Sequence, residues 1–154
     1  MLVSEVGNGG PKPQVLLFEL NGQVYGLDVQ WVREVLGYRP FTPLPSQGNG
    51  CAGVIHVRGK VIPVVDLRAK LGTPPAEPGP FSVYVLLERG GKNLALLVDS
   101  VLDVVEAGAP EEGLDVPSGD GAVRSLLEID GRTVALLSPE KLCPLEMTAA
   151  AVQG

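Results

Sequence analysis

The sequence predicts a mostly β protein whose short strands are joined by tight turns. Twenty glycines and fourteen prolines among 154 residues favour many short elements over a few long helices. At four places along the chain, an apolar run ends in a glycine-containing turn and a second apolar run follows. Repeated hairpins of this kind are typical of antiparallel sheets that close into small barrels.

The turn residues justify each hairpin. Asn21-Gly22 and Asp130-Gly131 supply the positive φ angles that a two-residue hairpin turn requires. Arg58-Gly59 and the glycines of residues 89–92 stand at the other two turns. We expect strands at residues 15–20 with 23–29, 54–57 with 60–65, 82–88 with 94–98, and 126–129 with 132–137. Their irregular spacing excludes a regular repeat array.

Two short helices are expected where capping residues stand. Ser138 followed by Pro139 predicts a helix start, and residues 66–72 fit one or two helical turns that Gly72 ends. The segment 29–36 is ambiguous, but the spacing of its apolar residues fits a helix better than a strand.

Loops and chain ends complete the predicted organisation. The predicted loops span residues 44–53, 73–80 and 107–121. The second of these is rich in proline and is expected to divide two halves of the protein. We expect a flexible arm at residues 1–13, one folded domain at 14–147 and a C-terminal tail at 148–154.

The acidic composition argues against several classes of partner. Twelve Lys and Arg stand against eighteen Asp and Glu, for a formal charge of −6, and the cations are scattered singly. Nucleic acids and anionic membranes are bound by clustered cations, so we expect neither as a partner. Residues 1–13 lack a signal-peptide pattern, and no apolar run reaches the roughly 18 residues of a membrane span. We therefore expect a cytoplasmic protein.

Residue types that carry catalysis or bind metals are sparse. His56 is the only histidine, so a multi-histidine metal site cannot form within one chain. A dyad of His56 with Cys51 or Cys143 is conceivable, but a structural histidine in an apolar strand is the better interpretation. Asp99, Asp103 and the nearby Glu106 would gather on a helix, yet a solvated edge explains them without a metal ion. We predict no enzyme activity, no metal and no cofactor.

Three residues have simple structural interpretations. Asp66 and Asp99 each follow an apolar strand, and capping of the next turn explains both. Trp31, the only tryptophan, is equally compatible with a core position and with an interface anchor.

Glu34 and Arg58 are the two charges most deeply embedded in apolar sequence. Glu34 lies within residues 31–36, and Arg58 follows the apolar run at 53–57. Opposite charges in such settings are able to pair across elements and fix a local surface, although exposed pairs stabilise a fold by only about 0–1 kcal/mol.

Residues 53–68 resemble the signature of the CheW family, the coupling proteins of bacterial chemosensory arrays. They read Gly-Val-Ile-His-Val-Arg-Gly-Lys-Val-Ile-Pro-Val-Val-Asp-Leu-Arg. The resemblance continues, in the family's order, at residues 18–29, 32–36, 97–104 and 131–142. It covers residues 15–147.

The resemblance implies a fold and a function. The fold would be two small, intertwined, SH3-like barrels of five strands with a hydrophobic groove between them. The function would be a non-catalytic chemotaxis adaptor that joins chemoreceptor tips to the regulatory domain of a CheA-type histidine kinase at membrane-associated arrays. A coupling protein of a pilus-driven or other non-flagellar chemosensory system is the alternative.

Four residues match family positions that are tied to receptor contact or to the shape of that surface. They are Val32, Glu34, Gly53 and Arg58. The resemblance also implies that Glu34 and Arg58 interact. The chain departs from the family at His56, where Asn is usual, and at residues 107–130, which look shorter and lack an aromatic motif.

Two other classes of protein fit less well. A small enzyme lacks a candidate set of nucleophile, base or metal ligands. An adaptor of the CheV type would need a receiver domain with an acidic pocket, for which the chain leaves no room.

Overall fold

The computed structural model describes residues 13–45, 51–107, 114–115 and 122–142. Most of the predicted arm, the whole predicted tail and most of the loop at 107–121 lie outside the described residues. No helix in the described ranges is long and apolar enough to cross a membrane.

Twelve strands account for most of the described chain. They are β1 (Gln14–Leu20), β2 (Gln23–Asp28), β3 (Val32–Gly37), β4 (Thr42–Pro43), β5 (Cys51–Val57), β6 (Lys60–Asp66), β7 (Val83–Arg89), β8 (Lys92–Val98), β9 (Ser100–Glu106), β10 (Leu114–Asp115), β11 (Val123–Ile129) and β12 (Arg132–Leu137). The helical segments are a 3-10 helix (Val29–Trp31), α1 (Leu67–Leu71) and α2 (Pro139–Leu142).

The strands form two sheets, each with five longer strands and one strand of two residues. Sheet 1 has the order β10-β11-β12-β2-β1-β9, and sheet 2 has the order β3-β7-β8-β6-β5-β4. The chain builds β1 and β2 in sheet 1, crosses to sheet 2 for β3 to β8, and returns through Asp99 to β9. The prediction of a mostly β fold with two small subdomains and a few short helices is confirmed.

All four predicted hairpins form, and each turn contains residues with a left-handed backbone. Asn21, Arg58 and Asp130 have φ angles of 57°, 50° and 53°, and a glycine of positive φ follows each of them. Gly90 and Gly91 provide the fourth turn, with φ angles of 62° and 81°.

Both predicted helices form at their capping residues. The carboxylate of Asp66 accepts the backbone N–H of Arg68 at 3.0 Å at the start of α1, and Gly72 ends that helix in a left-handed conformation. Pro139 begins α2 directly after Ser138.

The helix expected at residues 29–36 is wrong. Only Val29–Trp31 is helical, as a single 3-10 turn whose first residues are capped by the Asp28 carboxylate. Residues 32–37 form β3, whose side chains alternate between half-buried and exposed, and pair antiparallel with β7. Pairing with a distant strand overrides the local apolar spacing, which suits both structures.

Two of the predicted loops also need correction. The loop at 44–53 ends early, because β5 begins at Cys51 and its first residues pair with β6. The loop at 73–80 does not divide two halves of the protein. It joins α1 to β7, and the strands before and after it, β6 and β7, both belong to sheet 2.

The main core is shared by the two sheets. Leu16 and Phe18 of β1 belong to the same buried cluster as Val65 of β6, Val85 of β7 and Leu96 of β8. Smaller clusters lie within each sheet. Because apolar burial dominates folding, this shared core holds the two sheets together and fixes the surfaces that each sheet presents.

Candidate interaction site

Glu34 and Arg58 form an ion pair across a seam in sheet 2. The Nη2 group of Arg58 donates a hydrogen bond to Oε2 of Glu34. Glu34 lies on the edge strand β3, and Arg58 lies in the turn that follows β5. The strands β7, β8 and β6 separate β3 from β5 in the sheet. The sheet therefore curls until its two sides meet, and this pair spans the meeting point.

A second polar contact spans the same seam. The Nη2 group of Arg39, which follows β3, donates to the backbone carbonyl of His56 on β5. The hydroxyl of Tyr84 on β7 donates to the carbonyl of Arg39 at 2.6 Å. Burial, aided by repulsion from the ionised form of the neighbouring Tyr38, raises the pKa of Tyr84 to about 12, so this hydroxyl keeps its proton and remains a donor well into the alkaline range. The seam is thus held at a second point, beside the Glu34–Arg58 pair.

The backbone of Arg58 is unusual for its residue type. A left-handed φ of 50° suits the Asn21 and Asp130 positions of the other hairpins, whose short polar side chains tolerate it. In a long side chain such as Arg it costs on the order of 1 kcal/mol. Strained positions of this kind collect at functional sites, which makes Arg58 the most informative residue of the seam.

The pair is accessible from solvent. The side chain of Arg58 is 61% exposed and that of Glu34 is 28% exposed. Its contribution to stability is therefore small, about 0–1 kcal/mol. The guanidinium is held in one direction while most of its surface stays available to a partner, as recognition of a charged or apolar partner surface requires.

Gly53 acts on the shape of sheet 2. It is buried on β5 and pairs with Pro43 of β4. A Cβ atom at this position would collide with the carbonyl of Thr42 and would lie 2.7 Å from the ring of Phe41. Five residues of extended strand separate Gly53 from Arg58, or about 17 Å. Gly53 therefore lets β4 approach β5 and does not contact the ion pair.

Val32 lies on the strand that carries Glu34, two residues before it. Its half-buried side chain packs against the shared core, and its backbone pairs with Leu87 of β7. The structure thus brings Glu34 and Arg58 together and places Val32 beside them on β3. Gly53 lies farther from the ion pair and affects the shape of the same sheet.

The structure gives the conceivable His56–Cys51 dyad no support. Both residues lie on β5, where five residues of extended chain separate them by about 17 Å. His56 is exposed, whereas Cys51 is buried, and burial raises the pKa of its thiol. Cys143 lies outside the described residues. Within the described ranges, no group of three or more His, Cys, Asp or Glu side chains is placed to hold a metal ion.

Asp99 has a different role from the capping predicted for it. Its Oδ2 accepts the backbone N–H of Asn21 at 2.8 Å, and its Oδ1 accepts a hydrogen bond from the side chain of Arg68. Asp103 and Glu106 lie on the strand β9, so the helix that would have gathered these carboxylates does not form.

Trp31 packs at the margin of the core. Its half-buried ring contacts the shared cluster, and the guanidinium carbon of Arg89 lies 4.3 Å from its ring centroid. The packing against the core favours the core interpretation over that of a bare interface anchor, and the cation–π contact covers part of the remaining ring surface.

Sequence reasoning missed Arg39, Tyr84 and Arg68 as parts of these contacts. Arg39 and Tyr84 meet only because sheet 2 closes, and Arg68 reaches Asp99 only because β6 and β8 are neighbours in that sheet. No local pattern marks any of the three. The order of strands in the sheet was the missing information.

Comparison with known proteins identifies the family. The model of the CheW-like domain matches residues 14–146. A chemotaxis protein CheW of Rhizobium meliloti (strain 1021) is 31% identical over 148 residues, which is 94% of each chain. A probable chemotaxis protein CheW of Rhizobium etli is 32% identical over 133 residues, with 84% of this chain and 86% of that protein covered.

A solved structure shows the same fold. The crystal structure of the scaffolding protein CheW from Thermoanaerobacter tengcongensis superimposes with a TM-score of 0.72 at 26% identity. The match covers 83% of this chain and 85% of that one. Together with the two sheets and the sequence signature, these similarities show that the chain belongs to the CheW-like domain family of chemotaxis proteins.

Proposed function

We propose that this chain is a non-catalytic chemotaxis adaptor that couples chemoreceptors to a CheA-type histidine kinase at cytoplasmic, membrane-associated arrays. The observation that carries the proposal is the ion pair of Glu34 and Arg58, which leaves the Arg58 side chain 61% exposed at a closed seam. An adaptor acts through preorganised surfaces, and this surface is held by the ion pair and by the neighbouring contacts of Arg39.

The receptor side of the proposal is assigned to the seam. A helical receptor hairpin would lie against this surface and place a polar or charged group against the guanidinium of Arg58. Glu34 aims that guanidinium, and the strained turn holds its backbone in place. Val32 and Gly53 then support the contact through the positions of β3 and β5, since Val32 packs against the shared core and Gly53 carries no side chain.

The kinase side of the proposal needs a second surface. A related barrel of the kinase regulatory domain would bind there, so that one chain contacts two partners at once. The state of the receptor can control the kinase only if it changes the affinity of one of these contacts. The coupling is then a free energy that links the two binding sites.

Calorimetry with purified proteins from one genome tests the proposal. The chain is titrated separately with the kinase regulatory domain and with a receptor-tip hairpin. We expect saturable one-to-one binding to each, with a Kd in the micromolar range or below. Arg58→Ala should weaken receptor binding at least about tenfold, a loss of about 1.4 kcal/mol, and leave kinase binding unchanged. Absence of binding to every such kinase would contradict the proposed function.

A further inference from the structure

A cleft of about 240 Å³ lies between sheet 2 and the proline-rich loop at residues 73–80. Ala52, Val64 and Leu97 line it from the strands of the sheet, and residues 76–78 line it from the loop. At about 30 Å³ for each water molecule, the cleft holds about eight waters, which is close to the size of a small amino acid. The described residues that line it include none of the four that match family positions.

The loop presents a fixed wall to this cleft. Four of its eight residues are proline, and each proline restricts the backbone of the loop. At one end, the N–H of Thr73 donates to the carbonyl of Arg68 at 2.8 Å. At the other end, the N–H of Gly79 donates to the hydroxyl of Ser82 at 2.8 Å. Because the loop is already tied at both ends, a ligand would bind without the cost of ordering this wall.

Arg68 supplies an unused hydrogen-bond donor at the cleft. Its side chain is 9% exposed, and both Arg68 and Asp99 line the cleft. The Nη2 group donates to Asp99, whereas the buried Nη1 group has no hydrogen-bond partner in the described part of the chain. A buried donor without an acceptor costs free energy, and a charged donor costs more than a neutral one. A ligand that brings an acceptor to this guanidinium would recover that free energy.

Carboxylates outnumber the guanidinium around the same cleft. Asp66, Glu77 and Asp99 line it together with Arg68. Arg68 is paired with Asp99, so the described lining residues offer no further cation to Asp66 and Glu77. This excess of negative charge would repel a simple anion and attract an ammonium group. A zwitterion carries both the acceptor that suits Arg68 and the ammonium that suits the carboxylates.

Apolar side chains complete the lining. Val64 is fully buried, and Phe41 and Leu97 are half-buried. Ligand sites commonly combine such apolar walls with a few polar groups that orient the ligand. The cleft therefore fits an amino acid whose own side chain is short and apolar.

We propose that this cleft binds a small apolar α-amino acid as its free zwitterion. The ligand carboxylate accepts a hydrogen bond from Nη1 of Arg68, and the ligand ammonium donates to the carboxylates of Asp66 and Glu77. The ligand side chain packs against Phe41 and Leu97. Because Nη1 is buried, the guanidinium turns slightly towards the cleft as the ligand binds. The inference goes beyond the proposed function and requires neither the receptor nor the kinase.

Titration of the full chain with valine and two analogues tests the proposal, with NMR of the backbone amides as the readout. Isobutylamine lacks the carboxylate of valine and isovalerate lacks its ammonium group, while all three share the same branched apolar end. We expect valine to bind with a Kd of about 1 mM or below, and each analogue to bind at least about tenfold more weakly. The shifted amides should centre on Arg68, Glu77 and Leu97 and leave Leu127 of sheet 1 unchanged.

Variants assign the two polar contacts. Glu77→Gln removes a charge at the cleft, and Glu128→Gln is its control, because Glu128 is an exposed residue of β11 outside the lining of the cleft. We expect Glu77→Gln to weaken valine binding about fivefold and Glu128→Gln to stay within about twofold of the wild type. Arg68→Lys keeps the charge but removes the planar fork of donors, and it should weaken binding at least about tenfold. Urea unfolding checks its fold, and if it does not fold, the comparison of valine with isobutylamine tests the Arg68 contact.

Several results would overturn the inference. If about 20 mM valine shifts no amides, the cleft holds only water. If isobutylamine binds as tightly as valine, the site takes cations and Arg68 has no part in it. If the shifts spread over both sheets, or if Glu77→Gln binds valine as the wild type does, the ligand lies elsewhere. None of these results bears on the proposed function, which is tested by receptor and kinase binding.

Discussion

Arg68 and Asp99 form an ion pair that joins the two sheets at the point where the chain passes between them. The side chain of Arg68 is 9% exposed and that of Asp99 is 33% exposed. Asp99 is the single residue between β8 of sheet 2 and β9 of sheet 1. Its other carboxylate oxygen accepts the N–H of Asn21, and its own N–H donates to the carbonyl of Glu19 at 3.0 Å. The Asp99 side chain thus links the helix α1, which follows β6 of sheet 2, to the β1–β2 hairpin of sheet 1.

Asp99→Asn should destabilise the protein by about 2 kcal/mol, because it leaves the buried Arg68 guanidinium without a counter-charge. Urea unfolding measures the change, and an unchanged slope would show that the fold persists. Asp103→Asn is the control, since the Asp103 carboxylate is exposed and accepts a hydrogen bond from the backbone of its neighbour Val104. We expect it to stay within about 0.5 kcal/mol of the wild type. Equal effects of the two variants would contradict the role given to Asp99.

Gly53→Ala should destabilise the protein by about 3 kcal/mol, because the added Cβ collides with the backbone of Thr42, which cannot move without breaking the β4–β5 pairing. Gly37→Ala is the matched control, because Gly37 lies on a strand of the same sheet and a Cβ there meets nothing within 4 Å. In thermal or urea unfolding, the loss of stability in Gly53→Ala should be several times the loss in Gly37→Ala. If Gly53→Ala unfolds like the wild type, Gly53 does not shape this sheet.

Arg58→Asn should separate stability from function. Asn tolerates the left-handed turn better than Arg, so relief of strain offsets the lost ion pair and the stability should change by less than about 1 kcal/mol. Receptor binding should nevertheless fall by about tenfold or more. Asp130→Asn places the same residue in the equivalent turn of another hairpin and should leave binding intact. A large loss of stability in Arg58→Asn would mean that the seam depends on this pair more than its exposure indicates.

Tyr84 should make the protein lose stability at high pH. Its folded pKa of about 12 lies above the ordinary value of 10.0, so the folded state holds the proton more tightly than the unfolded state. The resulting stabilisation is complete below about pH 10 and is lost as the pH rises from there to about 12. Tyr84→Phe should show a smaller loss between pH 9 and pH 11.5 in urea unfolding. Parallel curves for the two proteins would exclude Tyr84 as the titrating group.

The local parts of this structure could be predicted from the sequence. The four hairpins follow from turns such as Asn21-Gly22, because the required φ angles are a property of two adjacent residues. The start of α1 at Asp66 follows from a cap in the same way. The prediction of a helix at residues 29–36 was wrong because the apolar spacing there suits a helix, whereas pairing with β7 makes most of the segment a strand.

The parts that depend on strand order could not be predicted from local patterns. The charges of Glu34 and Arg58 stood out in the sequence, but their contact requires sheet 2 to curl and close. The bond from Arg39 to the His56 carbonyl and the bridge from Arg68 to Asp99 depend on the same long-range arrangement. The resemblance to the CheW family supplied this information only in outline, as a fold and a set of positions.

Reconstitution of kinase control tests the central claim most directly. Membranes bearing a chemoreceptor, the CheA-type kinase from the same genome and this chain are combined, and kinase autophosphorylation is measured with and without the receptor's ligand. We predict that the rate responds to the ligand only when the chain is present, and that Arg58→Ala abolishes the response while still binding the kinase regulatory domain. A response that is equally strong without the chain, or with Arg58→Ala, would contradict the account.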